Sequence, residues 1–440
     1  MKKRRRRRVS LGTVFMLLLT VLVLAACALF LSVIAGADVY ERTGEFIRTL
    51  SEEGMFVSGE ETEPTPTPWR MISFVDEDTP APAAKITPTP APQKSMITIA
   101  AGGAIYAPKA VRQSAQEGGR FDFTEAFAGL GSAFSDADLT IATLETTTAG
   151  KSHGYDNYNT PPEILDALRA SGVDLLALAT EHMLDNGYEG LDLTVSELTG
   201  RGLAYAGLKP ESGFGSGATM MRIGGVQVAV LSYTYGLSDS GRQKTHDDSR
   251  GVASLIDTNA MIRDVMQARV DGANLVIVLP HWGTKNKPDT ADTIRILARQ
   301  LAEAGADVIL GTHPNIVQGT ERLQVTRSDG LVYEAIVCYS LGSLMTDSRA
   351  TENTASMIAR INVTHDPVTR RTTLGELECV PVYIASQREE SKTVYRAVDA
   401  RNEAALSLLS SGEREKAQQA VQAVHEASQG STVKASGGHG

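Results

Sequence analysis

Short apolar runs alternating with amphipathic stretches constrain this chain more than any other feature. Residues 97–101, 139–144, 175–179, 226–231, 275–279, 308–310 and 335–340 form strand-length apolar runs. Between several of them, residues 162–171, 190–200, 257–271 and 290–304 space their apolar side chains at helical intervals. Strands buried on both faces need helices to cover them, so the alternation predicts βαβ units. No internal repeat with a period of about 20 to 50 residues interrupts this pattern. The expectation is an α/β body spanning residues 95–385.

What precedes that body differs in composition. Lys2, Lys3 and the arginines at 4–8 form a basic block, read as a cytoplasmic segment over residues 1–10. Residues 11–37 contain no Asp, Glu, Lys or Arg. As a helix they would run roughly 40 Å at about 1.5 Å per residue, longer than the roughly 30 Å hydrocarbon core of a bilayer. They are expected to form a transmembrane anchor. The basic block then stays in the cytoplasm and the body lies on the extracytoplasmic side, held at the cell membrane by one pass. A second reading takes Leu24-Ala25-Ala26-Cys27 as a lipoprotein signal, with a lipid on Cys27. The run stays apolar beyond Cys27 through Leu29, Phe30, Leu31, Val33 and Ile34, which favours the uncleaved anchor. Repeated Thr-Pro at 64–68 and 87–92 gives residues 38–94 the character of an extended stalk.

The whole chain carries a net charge of −10, so everything after the basic block is more acidic still. Phosphate backbones require a basic surface, which excludes nucleic acid as a partner. Cys338 and Cys379 lie in strand-like runs and read as buried thiols, with a disulfide as the alternative in an oxidising compartment. Residues 386–440 read as a helical and disordered C-terminal tail. Residues 402–410 and 413–427 are rich in helix formers, and residues 430–440 in Gly and Ser.

Polar residues recur where the expected strands end. Glu145 follows 139–144, Glu181-His182 follows 175–180, His281-Trp282-Gly283 follows 276–280, and His313 follows 307–310. Open α/β sheets bind ligands beyond the carboxyl ends of their strands. Glu145, His182, His281 and His313 delivered there form a candidate metal group, since carboxylate and imidazole suit Zn, Mn or Fe. The loop 155–162 is read both as a wall facing a ligand and as a helix entry, with Thr160 as N-cap and Pro161 in the first turn.

These segments, in this order, resemble the CapA family of capsule proteins. The family pattern runs Gly-Asp; Asn-x-Glu; Asn-Asn-His-x-x-Asp-x-Gly; His-Trp-Gly-x-Glu; Gly-Ala-Asp-x-x-x-Gly-His-His-Pro-His; and Tyr-Ser-Leu-Gly-Asn. Here stand Gly102-Gly103; Thr143-Leu144-Glu145; Thr180-Glu181-His182 through Asp185-Asn186-Gly187; His281-Trp282-Gly283-Thr284-Lys285; Gly305-Ala306-Asp307 through Gly311-Thr312-His313-Pro314-Asn315; and Tyr339-Ser340-Leu341-Gly342-Ser343. The likeness covers about residues 96–350. It implies a calcineurin-like metallophosphatase fold, with mixed β-sheets sandwiched by helices behind the N-terminal transmembrane helix. It also implies a part in making or tethering poly-γ-glutamate or a similar surface polymer.

Under that resemblance His281, His313 and Glu145 would hold one ion, Glu181 could ligate a hard metal, and Asn315 could do so weakly. His182 would serve as general acid and Asp185 would orient it. Several ligand positions are substituted: Gly103 has no side chain, Thr312 ligates poorly, and Lys285 stands where the family has Glu. If only a side chain has been lost at 103, Gly103→Asp should raise metal affinity. The expected cofactor is one divalent transition metal (Mn, Zn or Fe), or none. The expected role is mainly binding and assembly, with anionic surface polymer or other capsule-synthesis proteins as partners. The alternative is an active metal-dependent hydrolase or phosphoesterase acting on the polymer or its precursors.

Overall fold

A computed structural model of the chain describes residues 93–156, 158–209, 216–245, 252–390 and 392–429. The expected cytoplasmic segment, anchor and nearly all of the stalk, the lipid site at Cys27 and the Gly/Ser-rich end lie outside those residues. Among the described residues no helix is long and apolar enough to cross a membrane.

The strands are β1 (Ser95–Ile105), β2 (Gln116–Glu117), β3 (Arg120–Phe121), β4 (Leu139–Leu144), β5 (Leu175–Ala177), β6 (Ala204–Ala206), β7 (Thr219–Ile223) and β8 (Val226–Thr234). They continue as β9 (Leu275–His281), β10 (Val308–Leu310), β11 (Thr320–Thr326), β12 (Val332–Cys338), β13 (Ser343–Met345), β14 (Ala355–Asp366), β15 (Arg371–Glu389) and β16 (Lys392–Asp399). One sheet has the order β16-β15-β14-β1-β4-β5-β6, with β13 beside β1. The other has the order β11-β12-β10-β9-β8-β7. Both are mixed. β1, β4, β5 and β6 run parallel while β14, β15 and β16 run antiparallel. In the second sheet β8, β9, β10 and β12 run parallel, flanked by antiparallel β7 and β11.

Side-chain alternation explains the layering. Ile97, Ile99 and Ala101 of β1 pack with Val226, Val228 and Val230 of β8 and with Leu275, Ile277 and Leu279 of β9, in a core between the sheets. The intervening residues face outward, where helices cover them. Ala142, Leu144 and Leu176 meet Ile164, Leu165 and Leu168 of the helix Glu163–Ala170. Ala229, Leu231, Val276 and Val278 meet Met261 and Val265 of Thr258–Val270 and Leu297 and Leu301 of Asp292–Ala304. A period of two along each strand thus builds the helix–sheet–sheet–helix sandwich.

Three differences from the sequence reading concern boundaries. β1 does not stop before Gly102 but runs through both glycines to Ile105, with a register shift against β4 between Ala101 and Ala104. The body does not end at 385: β15 continues to Glu389 and β16 extends the same sheet. Residues 386–440 therefore do not form a separate tail in their described part. The helix Ser411–Ser428 packs Ala417 and Ala420 against Ala355, Tyr383 and Ala385. Its N-cap Ser410 accepts from the Glu413 amide, and buried Glu413 accepts from Tyr383 Oη at 2.6 Å and the Ser386 amide at 3.0 Å. Cys338 is buried, Cys379 half-buried, and both are free thiols. Burial pushes the Cys338 thiol up.

Candidate metal centre

The carboxyl ends of strands from both sheets open onto one cleft. Glu145 leaves β4, and its amide donates to the Ile105 carbonyl at 2.9 Å. Glu181 and His182 follow β5 by a few residues, and His281 is the last residue of β9. His313 follows β10. Glu145, Glu181, His182, His281 and His313 are all buried.

Glu181 is the hub. Its Oε2 faces His281 Nε2 at 2.5 Å and His313 Nδ1 at 3.1 Å. Its Oε1 takes the Lys285 ammonium at 2.9 Å and faces His182 Nε2 at 3.4 Å. Two candidate donor groups share this carboxylate: Glu181, His281 and His313 on one side, and Glu145, Glu181 and His182 on the other, each within 4.8 Å of one another. The grouping differs from the one expected. Glu145 stands with His182, 4.0 Å from its Nε2, rather than with His281 and His313. Sequence could not show this, because β4 and β5 are neighbours in one sheet while β9 and β10 belong to the other. Of Asn315, the Oδ1 accepts from Ser343 Oγ at 3.4 Å and the carbonyl from Asn353 Nδ2 at 3.3 Å.

Each imidazole is fixed by a second contact. His182 Nδ1 meets Asp185 Oδ2 at 2.7 Å, and Asp185 Oδ1 accepts from Ser238 Oγ. Asp185 thus fixes the His182 ring and leaves Nε2 facing the cleft. His281 Nδ1 meets Thr312 Oγ1 at 2.9 Å. His313 holds φ at 95°, a rare backbone conformation for a non-glycine residue. Its ring stands edge-on to His281, with centroids 4.9 Å apart, and beside Tyr235 at 4.6 Å.

The charges follow from burial and these contacts. Burial, reinforced by the Glu181 carboxylate, pushes Glu145 up to about 7. Burial opposes the Glu181 charge too, but contacts with His182, His281 and His313 hold its carboxyl well below the usual range. For His182, burial is outweighed by Asp185 and Glu181, which raise it to about 9. Burial brings His281 down to about 4 despite Glu181. Lys285 is raised because its pairing with Glu181 outweighs partial burial.

The donor chemistry fits a divalent ion. Glu181, His281 and His313 offer one carboxylate and two imidazoles, a set suited to first-row metals. Glu145 Oε2 and Thr180 Oγ1 are buried without a hydrogen-bond partner, and His182 Nε2 has Glu181 Oε1 at 3.4 Å and Glu145 Oε1 at 4.0 Å. Such orphans in a polar cleft mark a place made for a further group.

Position 103 has no room for a side chain. A Cβ on Gly103 would meet the Gly342 carbonyl oxygen at 2.1 Å, and the Ala104 amide already donates to that oxygen at 3.0 Å. Gly103→Asp therefore meets backbone rather than an empty ligand position. That substitution is expected to bring no gain in metal affinity.

Residues outside the expected set complete the cleft. Tyr158 stacks flat on His182, with centroids 3.4 Å apart and planes 7° apart, and Tyr106 lies 6.0 Å further out. The loop carrying Tyr158 is held by Arg112, whose Nη1 donates to the carbonyls of Ala107 and Asp156. The loop reaches the site through Tyr158, and its stack on His182 was not legible from the sequence. The helix-entry part of that reading fails in detail. Pro162 is the N-cap and has no side-chain cap bond, while Thr160 Oγ1 pairs with Thr146 Oγ1 at 3.0 Å. Trp282 is buried and donates from Nε1 to the Tyr339 carbonyl at 2.9 Å, a structural role.

Fold and cleft together define a two-sheet α/β protein with a candidate metal centre at the strand ends. The model of the bacterial capsule synthesis protein family PGA_cap matches residues 98–348, and the chain belongs to that family. It is 27% identical over 243 residues to the capsule biosynthesis protein CapA of Bacillus anthracis, covering 54% of each chain. It is 25% identical over 246 residues to the PGA biosynthesis protein CapA of Bacillus subtilis, covering 54% of this chain and 60% of that one. The chain thus spans little more than half the length of these curated relatives. Among solved structures, a calcineurin-like phosphoesterase, YfkN from Bacillus subtilis, aligns with TM-score 0.39 and 13% identity over 76% of this chain and 98% of that one. A score that low adds nothing to the architecture already described.

Proposed function

We propose that this chain serves the synthesis or tethering of an anionic bacterial surface polymer of the poly-γ-glutamate kind. It acts from the outer side of the membrane, held there by residues 11–37, and it binds polymer at a one-ion cleft rather than cutting it. Family membership and the capsule and PGA biosynthesis names of the CapA relatives support the pathway. The basic block followed by an uncharged run supports the topology. The observation that carries the binding role is Lys285 on Glu181 in a cleft closed by backbone at Gly103. Glu181, His281 and His313 would hold the ion, which supplies a fixed positive charge for polymer carboxylates. The exposed part of Lys285 adds a second attraction for the same groups.

A hydrolytic reading rests on a separate observation. His182, braced by Asp185, points Nε2 into the cleft as a general acid would. Incubating the purified full chain with poly-γ-glutamate and Mn²⁺, then measuring bound polymer and polymer length, separates the two. Polymer retained at constant length, with retention reduced in His281→Ala, supports binding. Shortening in the wild type but not in His182→Ala establishes hydrolysis instead. Neither retention nor shortening sinks both.

A further inference from the structure

The two donor groups around Glu181 differ in what neutralises them. On the side of Oε2 stand two imidazoles, His281 and His313. On the side of Oε1 stands the Lys285 ammonium, 2.9 Å away, beside the second buried carboxylate, Glu145. Lys285 also lies within electrostatic reach of Glu145 and of the Tyr158 and Tyr235 hydroxyls around the cleft. A second divalent ion would need Glu181 Oε1, the oxygen the ammonium already holds. It would also come close to a fixed positive charge, which repels it. The strand segment on the other side offers no replacement ligand, because Gly103 is packed against the Gly342 carbonyl.

We propose that the Lys285 ammonium takes the place of a second metal ion. Two-ion centres place their ions about 3.5–4 Å apart across bridging ligands. Here Glu181 is the bridge, with a metal position on its Oε2 side and an amino-acid cation on its Oε1 side. The cleft keeps a two-cation arrangement around one carboxylate while binding a single ion. Lys285 side-chain exposure of 40% leaves that cation open to the cleft mouth, where a ligand oxyanion can reach it. This inference rests on the one-ion reading given above.

The test counts ions. Metal-free full chain is titrated with Mn²⁺ as wild type, Lys285→Arg, Lys285→Met and Lys285→Glu. Stoichiometry is read by elemental analysis, and ion–ion coupling by electron paramagnetic resonance. One uncoupled ion is expected in the wild type and in Lys285→Arg. A second ion is expected in Lys285→Met, and a coupled pair in Lys285→Glu, where the new carboxylate adds a ligand. Should Lys285→Glu fail to fold, Lys285→Met carries the test, because it keeps the stem and removes only the charge. One ion in every variant overturns the role of Lys285 and leaves the one-ion cleft standing. Two ions in the wild type overturn it as well. No ion in any variant overturns the metal site itself and the inference with it.

Discussion

On the β9–β10 side of the cleft, two imidazoles converge on Glu181 Oε2, one of them from a backbone held at φ 95°. On the β4–β5 side, Glu145 keeps a buried oxygen without a hydrogen-bond partner while Lys285 covers Glu181 Oε1. The first side has the makings of an ion cage. The second has a cation built from the chain and a braced imidazole facing two carboxylates. One carboxylate joins them: each of its oxygens serves a different side. Two sides of one carboxylate thus acquire different chemistry, two imidazoles on one and a carboxyl, an imidazole and an ammonium on the other.

The largest effect is expected from Glu181→Ala, which removes what the two sides share. Ion binding should be abolished, and stability should fall by about 3 kcal/mol, because the buried His182 imidazolium and the Lys285 ammonium lose a counter-charge. Calorimetry and denaturant unfolding would show both. A variant that still bound its ion would separate the two sides and break the comparison.

His281→Ala attacks the β9–β10 side alone. Ion binding should be lost there too, while the Tyr158 stack on His182 and the Asp185 brace persist. Metal analysis beside the NMR shifts of His182 checks this.

Asp185→Asn attacks the β4–β5 side alone. The His182 pKa, about 9 in the folded chain, should fall. Because it lies above the usual value of about 6.5, the pairing stabilises fully below that value and fades as pH rises through 9. In metal-free protein the variant should therefore melt lower than the wild type at pH 6, with the gap closing above pH 9. A gap that widened with pH would show His182 to be neutral in the folded chain.

Tyr158→Leu should cost about 0.5–1.5 kcal/mol of aromatic contact beyond area burial, measurable by denaturant unfolding. Ion binding on the far side should be unchanged. Asn315→Gly is the smallest change. It keeps a residue tolerant of φ 61° and should leave ion stoichiometry untouched and stability within about 0.5 kcal/mol.

Much of the body was legible because strands buried on both faces leave long apolar runs. β4, β8 and β9 match the expected runs within a few residues. β15 was legible only in part: the run around Cys379 reads as a strand, but residues 371–378 are exposed or half-exposed and carry no apolar run to mark them. β16 was hidden by the charged residues Lys392, Arg396 and Asp399 within a short strand. In the site, Glu145, His182, His281 and His313 stood out because each follows a strand. Their division into two groups was not legible, since it depends on which sheet each strand joins. Lys285 was recognisable as a positive charge near the site, but its hold on Glu181 was not. Gly103 read as a missing side chain, and the carbonyl occupying that space came from residue 342, far along the chain.

The closeness of Gly103 to the Gly342 oxygen bears on how the site can be redesigned. That oxygen stands where a Cβ at 103 would go, and it accepts from the Ala104 amide at 3.0 Å. An acid introduced at 103 would require relocating the 341–343 turn as well. Exchange of the side chain at Lys285, 40% exposed, asks for no such main-chain movement, so redesign of the local charge balance starts there.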